Sequence, residues 1–409
     1  MMEQNSFISP ELLELIYRSA SIERWNDHLR VQGFTELDKQ AHKMIIAYTL
    51  GKLEEQQSGS SLHWELIIQA GVIEFFERVL LTDIKPPIYY ELMNKSGPAL
   101  HDWVVRGLQT AFQPGQFTLI PLMQTYFNTT TGFSRERRIV RASHFLATLW
   151  EFRIIYHLNQ EMYGIEETKK KIEEELSKHE DLSCFRIYQT QEKIQHFIDL
   201  VGQLRYQKRW ASSPRIPETS VLGHMLVVAI LSYFTSKAIQ ACPKRIYLNF
   251  FGGLFHDLPE VLTRDIISPI KRSVEGLDDL IKQIECQQME NRIYPLLPLE
   301  WHEDMHYFTN QEFHSKILLD HQVKIIDSFE EMNRYNQDIY FPMDGVLIKA
   351  NDNLAAFMEA YLSLETGIRS KALTEGYENL YQIGIHKDYP GYEIDYKPLY
   401  QNYCLPKEG

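Results

Sequence analysis

Cysteine is scarce in this chain, strand-like alternation is rarer still, and basic charge is in deficit. The 4 cysteines, Cys184, Cys242, Cys286 and Cys404, are widely spaced and none forms Cys-x-x-Cys, which points to a reduced, cytoplasmic protein. Lys and Arg number 42 against 55 Asp and Glu, a net charge of −13. That balance argues against stable nucleic-acid binding, which calls for a basic surface. It leaves room for a small anionic substrate, because a bound cation and a few Arg or Lys residues set the local field. The start of the sequence, Met1-Met2-Glu3-Gln4-Asn5, has neither a basic n-region nor an apolar h-region, so no signal peptide is expected. The longest apolar run, Met225 to Phe234, is too short to span a bilayer, so no membrane partner is expected either. No Gly-rich phosphate loop stands out, and no Ser-His-Asp or Cys-His set has local support.

What is present reads as helix. Apolar residues recur at helical spacing over Leu12–Ser19, His42–Glu55, Trp64–Leu81, Ile139–Leu158, Gln191–Leu204, Val221–Gln240, Leu248–Leu262, Leu277–Glu285 and Val346–Glu365. Prolines cluster where helices should stop, at Pro86-Pro87, Pro214, Pro217, Pro269, Pro295 and Pro298. The class is all-α. With 409 residues, 44% of them hydrophobic, the chain has material for two or three domains, each with an ordinary core. The charged run Glu166 to Glu180 reads as a solvated helix or linker.

Four blocks recur in the same order. Arg24-Trp25 matches Arg209-Trp210, and Ala41-His42-Lys43-Met44-Ile45 matches Gly223-His224-Met225-Leu226-Val227. Val79 to Ile88 lies over Val261 to Ile270 without a gap, and Arg141 to Ala147 lies over Lys349 to Ala355. Together they suggest a duplication: two tandem helical bundles over residues 1–175 and 176–409, the second with an insert near 294–336. Under this register Glu74-Phe75 faces His256-Asp257, Arg78 faces Glu260, and His144 faces Asp352. A Phe cannot ligate a metal, and an Arg puts positive charge where a cation would sit. The first half therefore reads as a degenerate copy with a structural, dimerising or regulatory role.

The second half holds a set of metal-ligating side chains. His224 sits mid-helix among apolar neighbours, with Glu218-Thr219-Ser220 as a cap just upstream. His256-Asp257 follows, then Glu260 three residues on, and Asp352 lies in Lys349-Ala350-Asn351-Asp352-Asn353-Leu354-Ala355. Singly, each has a bland reading: a core histidine, a chance dipeptide, a surface Glu, a helix-start Asp. As a set, two imidazoles and two carboxylates suit one divalent ion (Mn, Co, Fe, Ni, Zn or Mg) in an open site. Such an ion lowers the pKa of water and polarises a phosphoryl oxygen. Glu260, one helical turn beyond Asp257, is placed for proton transfer.

His224, His256-Asp257 and Asp352 resemble the H…HD…D signature of the HD-domain phosphohydrolases. The finer pattern is similar to the bacterial 5′-deoxynucleotidase branch: Arg209-Trp210 before the first ligand, His256-Asp257-x-x-Glu260-Val261-Leu262-Thr263-x-Asp265 followed by Pro269 and Lys271, and the last ligand in a Lys-Ala-x-Asp-x-Leu-x-Ala helix. The resemblance covers roughly Gln203 to Gly367. It implies an all-α HD bundle, a homodimer as the usual state, and removal of phosphate from deoxyribonucleoside 5′-monophosphates. It implies metal ligation by His224, His256, Asp257 and Asp352, catalysis by Glu260 and Asp265, and substrate contacts by Arg209, Trp210, Asp265 and Lys271. Arg209 suits a forked phosphate contact, Trp210 an apolar contact to sugar or base, and Asp265 a sugar hydroxyl. The sequence departs from the family in the insert and in the Leu222-Gly223-His224 context of the first ligand.

Other readings compete. A dNTP triphosphohydrolase would need more basic residues, for which Lys208, Arg215, Lys271 and Arg272 are candidates. Guanosine tetraphosphate hydrolases of the superfamily tend to carry a second acid where Val261 stands. A non-catalytic nucleotide sensor would not need both the ligand set and Glu260. His302-Glu303-Asp304-Met305-His306 matches the His-Glu-x-x-His zinc pattern, but Pro295 and Pro298 lie just upstream and no third His follows at metzincin spacing; it reads as a polar surface helix.

Overall fold

The segment Val221–Ala238 is buried from Val221 to Ser236, and a helix apolar on every face can only sit at the centre of a bundle. Ser220 caps it: its Oγ accepts from the Gly223 N–H at 2.9 Å. By length and composition this helix would pass for a membrane span, yet 89% of it is buried inside the protein. The computed structural model describes residues 7–31, 33–82, 84, 86–112, 117–129, 131–264, 276–392 and 394–405.

The helices in chain order are α1 Pro10–Arg18, α2 Glu36–Ser58, α3 Trp64–Leu81, α4 Pro86–Gln109, α5 Ile120–Asn128, α6 Arg135–Asn159, α7 Ile165–Ser177, α8 Ser183–Thr190 and α9 Glu192–Gly202. They continue with α10 Val221–Ala238, α11 Pro243–Phe255, α12 Glu260–Thr263, α13 Leu277–Gln288, α14 His302–Thr309, α15 Phe329–Arg334, α16 Gly345–Glu365, α17 Lys371–His386 and α18 Lys397–Asn402. The protein is all-α, as its periodicity indicates. Among the described residues its sheet is one hairpin, β1 Lys316–Leu319 and β2 Gln322–Ile325, paired antiparallel with Lys316 opposite Ile325. The hairpin lies within 294–336 and shelters a small cluster of Ile317, Ile326 and Met332.

α10 packs against α11, α16 and α2, and α3 packs against α11. One continuous core runs from Phe7 to Tyr403 and takes side chains from helices on both sides of α7. The run Glu166 to Glu180 is largely the solvated α7, whose buried residues are Ile165 and Ile172.

Two prolines act differently from a simple stop signal. α3 ends at Leu81, but Pro86 begins α4, where a missing N–H costs nothing. The expected single helix Leu248–Leu262 is divided. Pro259 has no N–H to offer the Phe255 carbonyl, and Leu258 bonds that carbonyl instead at 2.9 Å. α11 therefore ends at Phe255, a four-residue turn follows, and α12 starts at Glu260. This break lifts His256 and Asp257 off the helix and points them toward α16.

Gly253 makes the α10–α11 contact close. A Cβ there would lie 3.1 Å from Ala229 Cα and 3.1 Å from Ser232 Oγ. Gly253→Leu should separate the two helices and cost about 1–3 kcal/mol as an overpacked core. Thermal denaturation checks this; an unchanged midpoint would contradict it.

Candidate metal centre

Three helices deliver the ligand set. His224, in the first turn of α10, has Nε2 2.9 Å from Asp352 Oδ1 on α16 and 4.0 Å from Asp257 Oδ2. Its other nitrogen, Nδ1, is 3.1 Å from Glu359 Oε1. His256 caps α11, and its Nδ1 lies 2.8 Å from the Gly253 carbonyl. A carbonyl only accepts, so Nδ1 carries the hydrogen and, in the neutral ring, Nε2 presents a lone pair. That Nε2 is buried without a hydrogen-bond partner, with Asp257 Oδ2 at 3.3 Å and Asp352 Oδ1 at 4.0 Å. Between two carboxylates that nitrogen calls for a proton or a cation, and a metal ion could bond the imidazole and both carboxylates at once. The donor atoms of His224, His256 and Asp257 lie within 4.8 Å of one another, a spread that suits bonds of about 2.0–2.2 Å to a single ion.

The imidazoles are buried, and the carboxylates line a narrow opening. Side-chain exposure is 0% for His224 and 1% for His256, against 17% for Asp257 and 13% for Asp352. Arg209 stands at the same opening, with Nη1 3.8 Å from Asp257 Oδ2 and Nε 3.7 Å from Glu359 Oε2. Trp210 has its indole N–H on Glu359 Oε2 at 3.0 Å. Its six-membered ring rests against Gly376 of α17, and the side chain is only partly covered. Glu260 is buried at the first position of α12, its N–H donating to the Asp257 carbonyl at 3.0 Å. The structure thus gathers His224, His256, Asp257, Asp352, Arg209 and Trp210 into one cleft, with Glu260 on the turn that carries Asp257. Asp265 and Lys271 lie outside the described residues.

Burial and Arg209 press the His224 imidazole toward its neutral form, but Glu359 and Asp352 outweigh them and raise its pKa to about 9. Burial works against ionisation of Asp257 and Asp352. For Asp257 it is overcome chiefly by His256 and then Arg209; for Asp352, by Lys349 and then His224. Both carboxylates are held well below the usual range. Without a metal, then, a proton on His224 and the Lys349 ammonium, 2.7 Å from Asp352 Oδ2, supply the positive charge.

A family model described as an HD domain matches residues 201–381, which span every ligand described above. Residues 201–381 are an HD domain. The chain is similar to a 5′-deoxynucleotidase of Photobacterium profundum, 26% identical over 178 residues that make up 42% of this chain and 76% of that protein. It is 25% identical to one of Vibrio parahaemolyticus over 189 residues, 45% of this chain and 82% of the relative. A 5′-deoxynucleotidase of Pasteurella multocida is 28% identical over 119 residues, 27% of this chain and 58% of its own length.

Two residues of the HD domain's cleft escaped the sequence reading. Glu359 is fully buried and gathers His224 Nδ1, the Trp210 N–H and, at 2.9 Å, the Thr219 hydroxyl. Its signal was its place seven residues after Asp352, on the same face of α16. Lys349 lies one turn before Asp352 and spreads over the Phe313 ring at 4.3 Å. The His302-to-His306 pattern does lie on a helix, α14, but His302 Nε2 donates to the Tyr294 carbonyl at 2.8 Å, which leaves that nitrogen no lone pair for a metal.

The same local structure occurs in the first half. Trp25 and Trp210 both take positive φ, 57° and 56°. The Arg24 N–H bonds the Phe34 carbonyl as the Arg209 N–H bonds the Thr219 carbonyl, and isolated bridges pair Glu23 with Thr35 and Lys208 with Ser220. Trp25 donates to the buried Glu151 at 2.9 Å as Trp210 does to Glu359. Thr82 and Arg264, opposite each other when the two sequence blocks are aligned, also share a positive φ. These bonds set Thr35 against Ser220 and therefore Lys39, not His42, against His224. The sequence register at this block is three residues out. His42 turns instead to the Ile198 carbonyl and Arg205.

Glu359→Gln keeps the shape and removes the charge that holds His224. It should weaken divalent-metal affinity about 10–100-fold while the chain stays folded; calorimetric titration with Mn checks this, and parental affinity would contradict it. Metal uptake must also displace the His224 proton. Because the folded value, about 9, lies above the ordinary 6.5, affinity should tighten as pH rises from neutral toward 9 and level off beyond. A pH-independent affinity over that range would contradict the assignment.

Proposed function

We propose that the HD domain is a divalent-metal phosphomonoesterase that removes phosphate from nucleoside 5′-monophosphates, with deoxyribonucleotides preferred. The observation that carries this reading is the convergence of His224, His256, Asp257 and Asp352 around the partnerless Nε2 of His256. The similarity to 5′-deoxynucleotidases supports the substrate class.

In this reading the two Nε2 atoms and the two carboxylates hold the ion. When bound, such an ion supplies Lewis acidity, making water a nucleophile at neutral pH and drawing charge from the phosphoryl oxygen. Arg209 turns its guanidinium from Asp257 and Glu359 to the phosphate oxygens, a forked, charge-assisted contact. Lys349, 2.7 Å from Asp352 Oδ2, would be a second cation for the phosphate at the mouth. Glu260, buried on the turn that carries Asp257, gives a proton to the leaving 5′-oxygen. Trp210 offers the uncovered part of its ring to the sugar, while its N–H stays with Glu359. Asp265 and Lys271 are assigned the sugar hydroxyl and the phosphate by resemblance.

We further propose that the first half is a second copy of the same bundle that has lost its ligands. The paired positive-φ tryptophans, the matching bridges and the matching Trp–Glu bonds support this reading. Residues 1–175 and 176–409 are its proposed extents.

A panel of nucleoside mono- and triphosphates, assayed with added Mn or Co, tests the activity. Orthophosphate from deoxynucleoside monophosphates is expected; tripolyphosphate from triphosphates would replace the reading with a triphosphohydrolase, and absence of both products would replace it with a sensor. His256→Ala and Asp257→Ala should each abolish metal binding and turnover together. Glu260→Ala should keep the metal and slow the chemical step on the order of 100-fold or more; a parental rate would refute the proton-transfer role.

A further inference from the structure

The first half carries basic groups at the positions where the HD domain carries its ligand set, and some of its charged side chains reach the surface to the same degree. Side-chain exposure is 11% for Arg24, 13% for Arg78 and 19% for Glu74, close to the values for Arg209, Asp352 and Asp257. Where the HD domain sets His224, this cleft sets Lys39, and where Asp352 stands it sets His144, with Lys39 Nζ 2.7 Å from His144 Nδ1. Arg78 occupies the position of Glu260. Lys43, one turn beyond Lys39, reaches Glu74 at 3.1 Å.

Among the described residues the carboxylates here are already engaged by other partners, and Lys39 is left without one. Lys39 and Lys43 are fully buried. Among the described residues Lys39 has no carboxylate within hydrogen-bond reach; its hydrogen bonds run to His144. Glu36 and Glu151 are committed to Arg24, at 2.9 and 2.8 Å, and Glu151 also to Arg205. Arg78 Nε is buried without a hydrogen-bond partner and sits 3.8 Å from Glu36 Oε1. Burial and the neighbouring Arg24 push the Lys39 ammonium well below its ordinary range, the expected response of a buried cation that lacks a counter-ion. An anion entering the mouth would supply that counter-ion.

We propose that this cleft is an anion site that takes a phosphate group, with Arg78, Lys39 and Lys43 as its contacts. A planar guanidinium beside two ammonium groups matches a tetrahedral oxyanion carrying several acceptor oxygens. Arg78 and Lys43 supply positive charge without a metal, and an entering anion would favour the charged form of Lys39 as well. Among the described residues it offers no metal ligand set, and Arg78 stands where Glu260 would be, so the bound group is held rather than hydrolysed. The chemistry fits either free phosphate, a product of the proposed reaction, or the phosphate of a nucleotide. Either would report on the substrate pool to a cleft that shares one hydrophobic core with the HD domain.

The test uses the full chain carrying Asp257→Ala, in EDTA, so that turnover plays no part and the result is independent of the activity proposed above. Calorimetric titration with inorganic phosphate and, separately, with thymidine 5′-monophosphate should show one saturable site per chain. Adding Arg78→Ala or Lys39→Met should weaken it on the order of tenfold or more. Equal affinity for the two probes would assign the site to free phosphate; much tighter binding of the nucleotide would assign it to nucleotides. Absence of binding for both probes at millimolar concentration would overturn the proposal, and so would affinity unchanged in the two variants. Should Lys39→Met fail to fold, the partly exposed Arg78→Ala carries the test. A purely structural Lys39 would show as a melting temperature raised by Lys39→Met with no response of the parent to phosphate.

Discussion

A single buried carboxylate organises the HD-domain cleft. Glu359 accepts from the Trp210 indole and the Thr219 hydroxyl, and it orients His224 through Nδ1. It therefore ties α16, the positive-φ turn at Trp210 and the start of α10 into one unit. A buried charge left unpaired is costly, so each of these partners is held where Glu359 can reach it. The imidazole that results has its Nε2 turned toward Asp352 and Asp257, which is the orientation a metal ligand needs. Glu151 does the equivalent work in the first half, with Arg24, Trp25 and Arg205 as its partners. There the organised cleft receives an ammonium group instead of an imidazole.

The two clefts differ in how positive charge is supplied. In the HD domain, Asp257, Asp352, Glu260 and Glu359 face Arg209, Lys349 and a protonated His224, a balance that a divalent ion can take over by displacing the His224 proton and the Lys349 ammonium. In the first half the positive charge belongs to side chains, Arg24 beside Glu36 and Glu151, Lys43 beside Glu74, and Arg78 3.8 Å from Glu36. Both groups back onto the core shared by α2 and α10.

Much of this was legible in the sequence because the informative residues are close together. His256, Asp257 and Glu260 lie within one turn, although the break at Pro259 that turns the pair toward α16 was not read. His224 and Asp352 stood out as polar residues on apolar helices. Glu359 did not, since one buried glutamate in a helix carries no motif and its partners are distant in sequence. The sequence blocks suggested a repeat with His42 opposite His224, whereas the matching backbone bonds at Thr35 and Ser220 set Lys39 there. A shift of three residues keeps a helical residue on nearly the same face, so hydrophobic pattern could not separate His42 from Lys39, and backbone hydrogen bonds could. The helices at Pro86–Gln109 and Lys371–His386 and the hairpin at Lys316–Ile325 went unread; in the first of these, prolines that normally mark an end open the helix and then kink it at Ser96.

The central claim is that four side chains from three separate segments close on one cation. Anomalous diffraction at the manganese edge, from crystals of the full chain grown with Mn, measures this directly. The account predicts one strong peak within bonding distance of His224 Nε2, His256 Nε2, Asp257 and Asp352. A peak elsewhere, or none among these four under saturating metal, would contradict it.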